Sequence, residues 1–112
     1  MNRIHLIGVI VLPTELRHDR TARRTIGKAM IAVPSGDEGL NFVPIILHDS
    51  DATDAAMYLG EGSRVEVIGH LHSALVTDRN TDGTVRRRRV LQVIADEVTY
   101  LTVCWPLGGD RP

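Results

Sequence analysis

Aromatic side chains are scarce in this chain: one Trp, two Tyr and one Phe among 112 residues. A ligand gripped by stacking would find few platforms. The lone cysteine, Cys104, excludes an intrachain disulfide and suits a reducing, cytoplasmic setting. Apolar runs such as residues 7–12 fall far short of membrane-spanning length, so no membrane partner is expected. The opening MNRIHLIG passes straight into a strand-like pattern, so no secretory leader is expected either. Catalytic signatures are missing as well. There is no glycine-rich phosphate loop, no Gly-x-Ser-x-Gly, and no histidine close to Cys104 in the sequence. The expectation is a protein that is not an enzyme and carries no cofactor.

Excess charge of one sign is also absent, since the formal net charge is −1. That near-neutral sum hides a segregated distribution. Arg17, Arg20, Arg23, Arg24 and Lys28 form one basic segment, opposed only by Asp19. Arg86, Arg87, Arg88 and Arg89 form a second, in consecutive positions. Between them lie Asp37, Glu38, Asp49, Asp51, Asp54 and Glu61, with no Lys or Arg in that stretch. Local fields, not the total, steer a polyanion. The bland alternative is a solvated strand end whose arginines pair with acids such as Asp78 and Asp82. In a strand, Arg86 and Arg88 point one way and Arg87 and Arg89 the other, so only one pair can face a given groove.

The remaining signal is mostly of period two. Ile4, Leu6, Gly8 and Ile10 alternate with His5, Ile7, Val9 and Val11, which predicts a first strand apolar on both faces. Such a strand serves a core on one side and, on the other, a second subunit. Residues 25–33 predict a second strand and residues 40–48 a third, with Pro44 placing the third at an edge or a bulge. A helix follows, capped by Asp49 or Ser50 and ended by Gly60 or Gly62. Residues 63–77 predict a fourth strand, with Arg64, Glu66, Ile68, His70 and His72 on its polar face. Asn80, Thr81, Asp82 and Gly83 mark a hairpin turn into a fifth strand over residues 85–95. His70 and His72 could supply two metal ligands, but nothing nearby completes a set, so no metal is expected. The end, residues 102–112, reads as a loosely tied tail in which Trp105 is a surface or interface anchor.

Five strands with one short helix between the third and fourth is the order of the OB-fold. This is an all-β, five-stranded Greek-key barrel, partly open, that binds oligonucleotides across strands two and three and under two loops. The basic segments fall at those loops, between strands one and two and between strands four and five. They are expected to border one groove, with the acid-rich helix away from both.

Specific stretches carry a family likeness. Met1-Asn2-Arg3-Ile4, then Ile7-Gly8 and Pro13-Thr14-Glu15-Leu16-Arg17, resemble the opening of bacterial single-stranded DNA-binding proteins. Tyr58-Leu59-Gly60-Glu61-Gly62-Ser63-Arg64-Val65, Gly69-His70-Leu71 and Val93-Ile94-Ala95-Asp96 are similar to later motifs of that family. The likeness spans residues 1–101 and implies one OB-fold domain there, followed by a short tail over residues 102–112. It also implies single-stranded DNA as ligand, a role in replication, recombination or repair, and a homotetramer built from dimers through the first strand. Replication or repair proteins would be its partners. The implied DNA-contacting set joins Arg3, Phe42, Arg64, His70 and His72 to the two basic segments.

Departures from the pattern shape what to expect. Family members stack bases on aromatics; here the third strand keeps Phe42, but its end carries His48. The other stacking positions fall near Val76 and among Pro34, Ser35 and Gly36. Stacking contributes about 1–3 kcal/mol per base, so the affinity that remains is expected to come from phosphate neutralisation. The family's acidic C-terminal tip is absent too, since the sequence closes Gly-Gly-Asp-Arg-Pro. The rival reading is an OB-fold adaptor, primosomal or otherwise, that binds mainly proteins. RNA or duplex binding is a further rival.

Overall fold

Alternation of branched or small apolar residues with polar ones sets the walls of the fold. The structure is a computed structural model and describes residues 1–106. In chain order come β1 (Ile4–Asp19), β2 (Arg24–Pro34), a short 3-10 turn (Gly36–Glu38), β3 (Leu40–His48), α1 (Asp49–Tyr58), β4 (Arg64–Arg79) and β5 (Val85–Thr102). The strands close a barrel in the order β1-β2-β3-β5-β4. This is the OB-fold, closed where the sequence suggested a partly open one. Every ladder is antiparallel except β3 with β5. No helix among the described residues is long and apolar enough to cross a membrane.

The core is small and aliphatic. Ile10, Ile31, Ile45, Leu47, Val65, Val67 and Val93 point inward, and Ala52 and Ala55 of α1, with Leu59 just after it, plug one end. Each fully buried branched side chain stabilises the fold by about 1.5–3 kcal/mol. The plug sits close because β2 has no side chain at Gly27. A Cβ there would lie 2.7 Å from the Thr14 methyl and 2.9 Å from the Ala52 Cβ. Register shifts between Ile10 and Leu12, and between Leu12 and Glu15, bend β1. Its first half therefore pairs with β4 and its second half with β2. Pro13 is tolerated at that bend. Pro44 is not in an outer strand, because β3 has neighbours on both sides. Yet the ladder to β5 begins one residue beyond it, at Ile45, so residues 40–44 keep an open edge.

Several local expectations are corrected. Neither Asp49 nor Ser50 caps the helix; His48 occupies that position and no side chain makes a capping bond. Asp49 has φ 54°, and its carboxylate accepts instead from the Thr25 N–H at 3.3 Å and the Arg24 guanidinium at 3.1 Å. The helix ends at Tyr58, with Leu59 rather than a glycine at its C-cap. The two loops are largely strand: β1 runs on to Asp19, and β4 runs on to Arg79; β5 also continues past residue 95, to Thr102.

Residues 102–106 are not loosely tied; the rest of the expected tail, residues 107–112, lies outside the described residues. Buried Ser63 donates its hydroxyl to the Cys104 carbonyl at 3.0 Å and accepts the Cys104 N–H at 2.9 Å. The Gly60 N–H donates to the same carbonyl at 2.7 Å. Trp105 then meets Tyr58 edge-on, with ring centroids 5.7 Å apart. Ser63→Ala leaves the Cys104 N–H without its partner, so it should lower the unfolding free energy by about 1–3 kcal/mol in urea titrations. Emission from the single tryptophan should shift to the red under native conditions.

Candidate nucleic-acid interface

Cross-strand register decides which cations share a surface, because directly opposite residues point to the same side of a sheet. Buried Ile31, Ile45 and Val93 mark the inner face; their sequence neighbours mark the outer one. On the outer face Arg17 lies opposite Ile26, and Ile26 opposite His48. The next row runs from Glu15 to Lys28, Ile46, Ile94 and His70, across all five strands' ladders but one. Beyond it Met30 lies opposite Pro44, and His72 opposite Gln92. Then Arg64, Val9, Ala32 and Phe42 form a row across β4, β1, β2 and β3. Phe42 is 59% exposed. Val43, Ile45 and Leu47 take the opposite side of β3, as the alternation requires.

Both basic segments sit on antiparallel ribbons that leave the barrel. In the first, the paired residues run to Asp19 opposite Arg24, and Arg20 and Arg23 lie in the turn. The Asp19 carboxylate accepts from the Thr21 and Ala22 N–H groups and holds that turn. In the second, β4 and β5 pair only with each other beyond Leu71 and Val93. The turn closes as the sequence suggests, with Gly83 at φ 86° and Asp82 accepting from Thr84. Those Thr84 bonds hold the Asp82 carboxyl below its ordinary value. The two ribbons do not converge. The first leaves beyond the end of β3 marked by Ile26 opposite His48, while the second enters β5 ahead of the parallel pair Ile45 and Val93. They stand at opposite ends of the β2–β3 surface, with Lys28, Met30, Phe42 and His48 between.

Register also splits the arginine block. Arg86 lies opposite Asp78 and Arg88 opposite Val76, continuing the outer face; Arg87 lies opposite Thr77 and Arg89 opposite Leu75, continuing the inner one. Arg88 donates to Asp78 at 2.7 Å, so one of the two outer arginines is already neutralised. Arg24 is engaged likewise by Asp49, which corrects the expectation that the acidic helix stays clear of both segments. Among the described residues, Arg17, Arg20, Arg23, Lys28, Arg86, Arg87 and Arg89 form no ion pair. His70 contacts Asp96 at 3.1 Å, while His72 is exposed. Arg3 lies apart from the β2–β3 surface, on a cleft shared with Asp96 and Glu97. Sequence patterns did not single out Met30 or Gln92. Only register adds them to the outer face.

His48 stands at the end of this surface beside the first ribbon, opposite Ile26. Burial, then the nearby Arg24 charge, push its pKa below 6.5, with Asp49 acting in the opposite sense. A depressed folded value means that the unfolded chain takes the proton first. The stabilisation is therefore present above pH 6.5 and lost as pH falls through the folded value. Urea midpoints should drop as pH is lowered below 6.5, and His48→Gln should flatten that dependence.

Residues 1–101 match the model of the Single-strand binding protein family. A protein from Clostridium tetani named Single-stranded DNA-binding protein is 28% identical over 106 residues, spanning 90% of this chain and 70% of its own length. Single-stranded DNA-binding protein 3 of Clostridium acetobutylicum is 27% identical over 106 residues, spanning 90% of this chain and 71% of its own. With the match running through every strand of the barrel, the chain belongs to the Single-strand binding protein family.

Proposed function

We propose that this chain binds single-stranded DNA across the outer face of β2 and β3, without strong sequence preference, in replication, recombination or repair. The observation that carries this reading is the register that gathers Arg17, Lys28, Phe42, His72 and Arg86 on one face. Unpaired cations there neutralise phosphates, and Phe42 offers one stacking surface. Neither contact reads base identity, which is why preference is weak. The binding set is Arg17, Arg20, Arg23, Lys28, Phe42 and Arg86, with Arg64, His70 and His72 at its margins. Arg24 and Arg88 contribute less because each is held by an aspartate.

The exposed face of β1 supports assembly. Ile7 and Val9 are 40% and 38% exposed and border a depression of about 490 Å3 that Val11, Pro34, Leu40 and Arg64 also line. Apolar side chains grouped this way on a strand suit a second copy, giving a dimer or, by pairing dimers, a homotetramer. The setting is cytoplasmic, and replication or repair proteins are partners of the complex.

Labelled poly-dT binding by anisotropy tests the reading. Affinity should be strongest at low salt and fall steeply, with log K losing about 0.7 per decade for each phosphate contacted. Failure to bind at any salt would instead favour a protein adaptor. Arg86→Ala should lower the salt slope by about 0.7, whereas Arg88→Ala should change it little. Asp78→Asn should increase affinity at low salt by releasing Arg88, the reverse of a simple loss of contact. Phe42→Ala should cost about 1–3 kcal/mol of binding energy with the salt slope unchanged.

A further inference from the structure

Past Asp96, strand β5 has a neighbour on one side only. Val98, Thr99 and Tyr100 lie opposite Val67, Glu66 and Val65 of β4. On the other side, β3 meets β5 no further than Ile94 and then turns into α1. The helix packs on β1, β2 and β3. Between it and β5 remains a groove of about 430 Å3, lined by Asp51, Asp54, Tyr58, Val98, Thr99 and Tyr100. Alternate backbone N–H and C=O groups of an antiparallel strand point away from its partner. Over residues 97–101 those groups meet no backbone partner among the described residues. An unpaired edge of this kind is a template for an added strand.

The chemistry of the groove selects its occupant. Asp51 and Asp54 stand on the helix wall, Glu97 is exposed on the strand, and no Lys or Arg lines the cleft. Burial, with Asp54 and Asp51 nearby, raises the Tyr100 pKa, as expected for a phenol set among carboxylates. Nucleic acid would be repelled here. Tyr58, Val98 and Tyr100 supply apolar surface for alternate side chains of an extended segment, which over five residues spans about 17 Å.

We propose that the β5 edge beside α1 is a strand-addition site for a basic, extended segment of a partner protein, whose cationic side chains meet Asp51 and Asp54 while its apolar ones pack on Tyr58 and Tyr100. This site is separate from the β2–β3 surface and does not depend on DNA binding. Added strands take affinity from main-chain hydrogen bonds and specificity from the alternating side chains.

Amide NMR of the full chain, titrated with a synthetic Lys-Val-Lys-Val-Lys-Val-Lys peptide, tests it. The expected result is shift changes centred on residues 97–101, with amide exchange there slowed about tenfold or more. Asp51→Asn combined with Asp54→Asn should weaken binding about fivefold, a size typical of two exposed ion pairs, without altering poly-dT affinity. A peptide N-methylated at alternate residues should not bind. Equal binding by the methylated peptide would overturn the proposal, since charge alone would then suffice. It would also be overturned by an absence of shifts at residues 97–101, or by protection of that edge that rises with protein concentration and excludes the peptide, which would assign it to a second copy.

Discussion

Two parallel residue pairs, Ile45 with Val93 and Ile46 with Ile94, are where β3 and β5 meet and the barrel shuts. So short a seam has a large effect. It fixes the parity of β5 relative to β3, and with it the side of the sheet on which each arginine of the second ribbon stands. A slip of one residue would exchange Arg86 and Arg88 for Arg87 and Arg89 on the face that carries Phe42. The core enforces the register, because the same slip would put Val93 into water and Ile94 into the barrel.

Electrostatics in this molecule works by local subtraction. The near-neutral total already signals that no uniform positive field surrounds the chain. Within each basic segment the fold then removes one cation, Arg24 through Asp49 and Arg88 through Asp78. Both pairs are partly exposed, so their stabilising effect is small, but their effect on the charge a polyanion meets is not. What remains is spaced along the face rather than massed at one spot. A ligand that meets all of them has to extend along the face.

Much of the fold was legible in the sequence because one face of each strand is buried. Ile4 to Ile10, Val65 with Val67, and Leu91 to Ala95 announce their alternation, and the turn at residues 80–83 announces its hairpin. The helix was legible by composition but not by its ends, since Asp49 spends its carboxylate on β2 rather than on its own first turn. The tail misled because its anchor, Ser63, is an ordinary residue 41 positions upstream of Cys104, invisible until the chain is folded. The candidate interface was legible as two charge clusters and not as a surface. Charge clusters are local in sequence, whereas the row joining Glu15, Lys28, Ile46, Ile94 and His70 is assembled from pairings far apart in the chain.

The second ribbon has mechanical consequences. Its inner face carries Leu75 and Leu91, 54% and 66% exposed, and each of its strands has only the other for support. Stability is therefore uneven: a hub stiffened by a closed ladder, and a lever whose hydrogen bonds open at far lower free energy than the hub unfolds. Such a lever can bend while the barrel that anchors it stays unchanged.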